Sequence, residues 1–487
     1  MSVEDSLLSA ASFVLIEAPA GCGKTHVACD YARMLASSFP EGRRVLVLAH
    51  TNAAVEEFIS RTQDLKSQIR VSTFDSLSLG LIHPYALALG LQYPIRVGEG
   101  GNRVSPATLS SKAAEVLARC PSIAAMLVQL YPTIILDEHQ DASREQHAIA
   151  MTLREAGAKV RAFGDHMQRI FISEDEFSWN DIRADADHID ALTHPHRWKS
   201  DLVLGAWILQ CRERLMAAEP MDMTTAPPAV RRNMIRGNDL GYGAGQANDY
   251  AYSVRQLSAG TSALLTARKN HMVTLRRASG NAADFYEGSR LEHVYGAFDQ
   301  LEARLGTPET MAAVLLDLLQ GTCTGLTTSH RRRIEHSLMG DRLDFGRPHA
   351  VRPILDSLQY LYWSPTFEGV GRTCRTLLER PPEFLKIEKP AALRILSTIV
   401  KPAADPYEQL QEAIVNYKAV SRRPDFTVST FHRAKGFQFD HVLVSNVSET
   451  HFPADDYGRR LLYVAISRCC RSLALLTPAA GVTRLLA

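Results

Sequence analysis

Ala18-Pro19-Ala20-Gly21-Cys22-Gly23-Lys24-Thr25 follows the apolar run Phe13–Ile16 and leads into a helix-forming stretch that begins at His26. The spacing is that of a phosphate-binding loop, in which small residues let successive backbone N–H groups turn inward around phosphate oxygens. Gly21 and Gly23 permit that close approach, Lys24 reaches the β- and γ-phosphates, and the Thr25 hydroxyl is placed to hold Mg²⁺. A helix over His26–Leu35 adds its N-terminal dipole end to the same anion. A glycine turn that binds nothing needs neither the Gly-Lys-Thr ending nor the strand before it.

Outward from the loop, strand and helix signals alternate. Phe13–Glu17, Arg44–Ala49 and Ile69–Thr73 read as strands, and His26–Ser37 and Ala53–Arg61 as helices. Short apolar runs separated by amphipathic stretches point to a parallel sheet wrapped by helices. Residues 81–131 read as mostly helical before strands return at Thr133–Leu136 and Lys159–Phe163. The stretch Ala218–Gly245, rich in Met, Pro, Gly and Arg, reads as an irregular connection. Thr261–Thr266 is a strand, residues 281–420 are helix-rich, and Phe426–Thr430, His441–Ser445 and Ser472–Leu476 are strands again. The expectation is an α/β chain of two lobes, each a parallel sheet flanked by helices and each carrying a helical insertion. Residues 1–80 and 132–200 form the first lobe, with 81–131 inserted; 201–280 and 421–487 form the second, with 281–420 inserted.

Composition bounds the partners. A chain of 487 residues accommodates two to four domains, and 46% apolar with 22% charged residues is ordinary for a globular protein. The net charge of +1 means that a polyanion must be held by a local basic groove rather than by global attraction. Eight cysteines without a C-x-x-C pair argue against zinc or iron–sulfur and for reduced thiols, hence a cytoplasmic protein. No apolar run reaches the roughly 18 residues that a membrane span requires, so no membrane is expected as a partner.

Three more segments carry chemistry. Ile134-Ile135-Leu136-Asp137-Glu138-His139-Gln140-Asp141 is a strand ending in acids. A carboxylate at such an edge can hold Mg²⁺ opposite a phosphate loop, and its neighbour can orient and deprotonate water; Asp137 takes the first role and Glu138 the second. Alone, acids after an apolar strand also read as a solvated strand end, and the phosphate loop reverses that balance. Phe163-Gly164-Asp165-His166-Met167-Gln168-Arg169-Ile170-Phe171 is another strand edge, where Gln168 can sense the γ-phosphate or water and Phe171 can lie under a base. Thr430–Asp440 joins a strand to a Lys435-Gly436 turn, and Leu462–Arg468 is helical with Arg468 at its end.

Taken in order, these segments resemble the superfamily 1 DNA helicases of the UvrD/Rep/PcrA kind, in a compact form. Ala18–Thr25 is similar to that family's Walker A motif and Asp137–Asp141 to its Walker B variant. Leu46–Glu57 with Thr51-Asn52, Ser72–Asp75, Gly164–Phe171, Leu192–Trp198, Leu264–Asn270, Thr430–Asp440, Glu449–Pro453 and Arg459–Arg468 resemble the remaining motifs, from residue 18 to residue 468.

The resemblance implies two RecA-like P-loop NTPase lobes with ATP and Mg²⁺ between them. Ala20, Gly21, Cys22, Gly23, Lys24, Thr25, His26, Arg268 and Gln438 would bind nucleotide, and Thr25 and Asp137 the metal. Glu138, Asp137, Gln168, Arg197 and Arg468 would carry catalysis, the two arginines reaching the γ-phosphate when the lobes close. Thr51, Asn52, Thr73, His432 and the backbone near Lys435 would touch phosphate and sugar, and Phe74 with one aromatic near Phe171 or Trp179 would stack on bases, core packing being the alternative for Phe74 and Trp179. The implied function is an ATP-dependent helicase or translocase moving 3′→5′ on single-stranded and tailed duplex DNA. The alternative is a DNA-stimulated ATPase serving as motor subunit beside a nuclease subunit, as in Gabija-type anti-phage defence, with little unwinding of its own. A non-motor nucleotide switch is a third reading, disfavoured by the complete set of acids and arginines. Met1–Ser12 contain no Gln to read adenine, and Gln438 stands where the family has Glu on the ribose side, so the base preference is open.

Overall fold

The computed structural model describes residues 3–50, 52–93, 95–97, 104–171, 177–236, 249, 253, 260–268, 271–272, 275–276, 279, 284–285, 292–339, 350–387, 390–400, 406, 409–410, 413–414 and 425–487. The first sheet explains why Phe13-Val14-Leu15-Ile16 is apolar without alternation. Phe13 and Leu15 enter one core cluster while Val14 and Ile16 enter another, so helices cover both faces. Strands β1 (Phe13–Glu17), β2 (Val45–Ala49), β3 (Ile69–Thr73), β4 (Thr133–Leu136), β5 (Lys159–Gly164) and β6 (His188–Ala191) run in the order β3-β2-β4-β5-β1-β6. Every pairing is parallel, for example Phe13 with Val160 and Val45 with Thr133.

Helix α1 (Val3–Leu8) precedes the sheet, and α2 (Lys24–Ser38) packs Ala28, Cys29 and Ala32 on the Val14–Ile16 face. After α3 (Asn52–Arg61) come α4 (Phe74–Ile82), α5 (Pro106–Arg119), α6 (Pro121–Leu130) and α7 (Arg144–Glu155), which cover the opposite face. The helices of 81–131 bury Leu109, Ala113 and Leu117 in the same cluster as Leu46 and Leu48, so they share the sheet's core. Because β5 lies between β1 and β4 in a parallel sheet, the loops leaving all three emerge side by side at one edge. Those loops carry the phosphate-loop residues, Asp165–Gln168 and Asp137–Glu138.

Helices α8 (Trp179–Asp185) and α9 (Leu202–Met216) lead to a second parallel sheet. It holds β7 (Val230–Ile235), β8 (Ser262–Thr266), β9 (Asp284–Phe285), β12 (Phe426–Thr430), β13 (Phe439–Val444) and β14 (Cys469–Pro478), in the order β7-β14-β13-β8-β12-β9. Ile235, Leu264, Val428, Leu443 and Leu476 form part of its core. The Ala218–Gly245 stretch is therefore not wholly irregular: β7 runs through it, pairing Val230 with Leu473. Its middle residues Arg231 and Arg232 are solvent-facing, which hides the strand from an apolar pattern.

Both sheets lie in one compact unit, Met1–Phe285 with Pro424–Ala487, and Tyr286–Arg423 forms a second. That second unit packs helices, among them Glu292–Glu302, Pro308–Thr322, Arg352–Trp363 and Phe367–Glu379, around its own core, where Phe298 stacks on Phe367 at 4.5 Å between centroids. Its short strands β10 (Cys323–Thr324) and β11 (Lys386–Ile387) pair antiparallel. Among the described residues no single helix is long and apolar enough to cross a membrane.

Candidate active site

The phosphate loop is shaped by its glycines. Gly21 has φ 78° and Gly23 φ 86°, a left-handed backbone that side chains rarely adopt. A Cβ on Gly21 would also lie 2.7 Å from Arg197 Cβ and 2.9 Å from the Trp198 ring. Gly23 is the N-cap of α2, so Lys24 and Thr25 open that helix and its free N–H groups face the loop. Lys24 is buried, with Nζ 3.1 Å from Ala18 O and 3.5 Å from Glu138 Oε1. Ala20 and Cys22 are buried, the Cys22 thiol being pushed up to about 11 by burial. His26 faces solvent beside Asp30.

Across from the loop, Glu138 has φ 52°, in the left-handed region rare for a non-glycine residue. This turn directly after β4 separates two adjacent carboxylates into different surroundings. Asp137 is buried, and burial, then the neighbouring Glu138 charge, raises its pKa to about 7. Burial opposes the Glu138 charge too, but Lys24 and Lys435 outweigh it and bring that carboxyl down to about 2. Thr25 Oγ1 stands 3.5 Å from Asp137 Oδ2, and Asp137 Oδ1 is buried without a hydrogen-bond partner. A hydroxyl beside a carboxylate with spare acceptor capacity fits Mg²⁺, which takes one or two protein ligands and completes its shell with water and phosphate.

The two lobes meet over this edge. Arg468, at the end of the helix Asp456–Ile466, is buried and donates from Nη2 to Gln168 Oε1 at 2.9 Å. Val464 O and Ser467 Oγ hold the same guanidinium at 2.9 and 2.8 Å, while burial, then Arg197, lowers its pKa to about 10. Gln168 donates to Asp165 Oδ2 at 3.0 Å, and Asp165 pairs with Arg212 of α9 at 2.9 Å. Arg197 reaches across to Gln438 Oε1 at 3.3 Å and to Ser467 O. Trp198, buried under Gly21, donates to Cys469 O at 2.7 Å. Of the residues expected at the nucleotide, Arg268 stands apart: it is exposed just beyond β8, and its side chain makes no hydrogen bond among the described residues.

The expected strand-binding residues divide. Phe171 is 44% exposed, with Lys435 Nζ 5.3 Å and the His432 ring 5.7 Å from its centroid. His432 meets the Tyr457 hydroxyl at 3.0 Å, and the Thr73 hydroxyl caps α4 by accepting from Ser76 N. Phe74 is a correction: it is 1% exposed in the sheet core, its ring stacked near His139. Trp179 is a second, packed beneath Gly164 with Nε1 donating to Glu17 Oε1 at 2.7 Å. Phe74 presents no stacking face, and Trp179 is packed into the core with 8% of its surface exposed. The Lys435 side chain turns into the interlobe seam, bonding Asp141 and, at 2.6 Å, Gln168 O, and leaves only its backbone for the expected strand contact. Thr51 lies outside the described residues, and Asn52 is the first residue of α3.

Sequence reading missed three partners. The Tyr463 hydroxyl accepts from Ala20 N at 2.8 Å, placing a second-lobe phenol on the phosphate loop. Asp141 is the acid for Lys435, and Arg212 the base for Asp165. Tyr463 lies five residues before Arg468 in a motif already singled out, so its place on that helix was visible; the other two pairs join distant segments without a local pattern.

A family model described as AAA domain matches residues 2–119, and one described as UvrD-like helicase C-terminal domain matches residues 425–476. No curated protein matches the sequence. Among solved structures, the Pif1 helicase from Candida albicans aligns at 13% identity and TM-score 0.41, over 97% of this chain and 93% of that one. The arterivirus nonstructural protein 10 helicase aligns at 9% identity and TM-score 0.35, over 98% of this chain and 62% of that one. The two matched regions hold the phosphate loop and the helix of Arg468, whose side chain bonds Gln168 across the seam. With the intervening motifs in order between them, the two matches support a superfamily 1 helicase.

Proposed function

We propose that the chain hydrolyses ATP between its two lobes and uses the cycle to move 3′→5′ along single-stranded DNA, separating tailed duplexes. The observation that carries this reading is the Arg468–Gln168 hydrogen bond, which brings a second-lobe cation to the phosphate-loop edge of the first. Lys24 and the loop N–H groups bind the phosphates, and Thr25 and Asp137 would hold Mg²⁺, which would supply positive charge to the phosphoryl oxygens. Glu138, kept ionised by Lys24 and Lys435, orients the attacking water and takes its proton. Arg468 and Arg197 stabilise the charge that spreads over the transferring group. Both sit at the seam, so loss of the γ-phosphate weakens what draws the lobes together.

The strand would cross the same edge past Phe171, Thr73 and His432, held by stacking and phosphate contacts rather than base readout. The deciding experiment measures ATP hydrolysis with and without single-stranded DNA, then displacement from duplexes with 3′ or 5′ tails. Strand-stimulated hydrolysis with displacement from 3′ tails alone is expected. Hydrolysis indifferent to the strand removes the motor reading. Stimulation without displacement points to a motor that unwinds only with a partner such as a nuclease subunit.

A further inference from the structure

A cleft of about 560 Å³ lies beside the catalytic edge, and its walls come from both lobes. Arg169, one residue beyond Gln168, and Arg460, from the helix Asp456–Ile466, both line it. The other arginines there are neutralised. Arg183 pairs with Glu17, and Arg212 with Asp165 at 2.9 Å and with Glu213 at 2.8 Å. Arg169 is different: half-buried, its guanidinium makes no hydrogen bond or ion pair among the described residues. Arg460 gives Nη2 to Asp456 at 2.5 Å, but its Nε is buried without an acceptor. The acids whose fields reach Arg169 are engaged elsewhere, Asp141 with Lys435 and Asp181 with Ser178.

Burial, then the charge of Arg460, lowers the Arg169 pKa. Arg169, unpaired, and Arg460, whose one acid Asp456 is shared with Arg459, face one cleft from opposite lobes and repel each other, and an anion between them removes the repulsion. The planar fork of guanidinium matches two oxygens of one phosphate. Ser178 and Asn180 add polar groups to the same wall.

We propose that Arg169 and Arg460 form a phosphate-binding site, separate from the phosphate loop, whose occupant bridges the two lobes. Two sources supply that chemistry: a phosphodiester of the bound strand, or inorganic phosphate from hydrolysis at the neighbouring site. The strand source rests on the motor reading above and the inorganic source on hydrolysis, but binding of added phosphate is measurable without either.

The test uses the full chain carrying Lys24→Ala, which weakens the phosphate loop, with and without Arg169→Gln or Arg460→Gln. Thermal stability is followed as inorganic phosphate replaces chloride at constant ionic strength. The parent is expected to rise in Tm by several degrees, and each arginine variant to lose most of that rise. In a second arm with Lys24 intact, the salt dependence of oligothymidylate affinity is measured. A log–log slope reduced by about one in each variant assigns the site to a strand phosphate. An unchanged slope with the phosphate response lost assigns it to inorganic phosphate. Both variants should retain strand-free ATP hydrolysis, which reports an intact fold. The proposal fails if the variants respond to phosphate as the parent does and keep its slope, or if only one of the two arginines matters.

Discussion

Glu138 shows how one residue's backbone decides its chemistry. Its left-handed φ of 52° goes with a carboxylate set in the fields of Lys24 and Lys435. Glu138→Gln keeps the shape while removing the proposed base. Hydrolysis should therefore fall below detection, as it should in Lys24→Ala, with Tm and circular dichroism showing a folded chain; normal strand-stimulated turnover in either variant would end the assignment. If Arg468 acts on the transition state as proposed, Arg468→Ala should leave nucleotide binding intact while turnover falls by about 10³–10⁵. Equal losses in binding and turnover would make Arg468 a ground-state contact instead. The loop and both acids were legible because their chemistry demands fixed types at fixed spacing. Phe74 and Trp179 were not, since a large aromatic beside a motif reads the same whether it stacks on a base or fills the core. Only the position of Gly164 under the Trp179 ring, and of α4 against the sheet, separates those uses.

Strands were legible in proportion to how deeply they lie in a sheet. β1, β2, β4 and β5 are central in the first sheet, and β8, β12, β13 and β14 in the second, where near-continuous apolar runs mark them. The strands that escaped notice, β6, β7, β9 and the short β10 and β11, all sit at sheet edges, although the edge strand β3 was read. An edge strand pairs on one side alone and keeps polar residues toward water, so β7 reads Val-Arg-Arg-Asn-Met-Ile. A second element-scale feature lies beneath the catalytic edge, where His50, at the end of β2, packs its ring 5.0 Å from Phe74. Its Nε2 is buried without a partner, and burial, then Lys435, lowers its pKa from 6.5 to about 3. The unfolded chain protonates this histidine below about pH 6.5 while the native state does not. Its contribution is thus fully present above that pH and is lost as pH falls toward 3, at about 1.4 kcal/mol per pH unit. Urea unfolding at about pH 7.5 and about pH 5.5 should show His50→Leu gaining on the parent by that slope; a pH-independent difference would mean that native His50 takes up its proton.

At the scale of the molecule, the nucleotide site exists only because distant parts of the chain close over one edge, and no sequence pattern marks which residues will meet. Lys435 and Asp141 illustrate this: motif position suggested a strand contact for Lys435, yet both side chains are 5% exposed and paired across the seam. Burial raises the Asp141 pKa to about 6 even with Lys435 beside it, so the pair is held at a cost in desolvation rather than as a simple gain. Removing one partner leaves the other charge buried and alone. Lys435→Met or Asp141→Leu singly should therefore cost about 3–5 kcal/mol of stability, while the double variant recovers most of that loss. Because the ammonium is already committed to Asp141 and Gln168 O, Lys435→Met should leave the salt slope of strand binding unchanged. A slope lowered by about one, with additive and small stability losses, would put Lys435 on the strand and open the seam in solution. The same cycle read against hydrolysis tests the clasp directly. If lobe closure limits turnover, the uncharged pair restores stability without restoring rate, since Lys435 also bonds the Gln168 carbonyl and its charge helps keep Glu138 ionised.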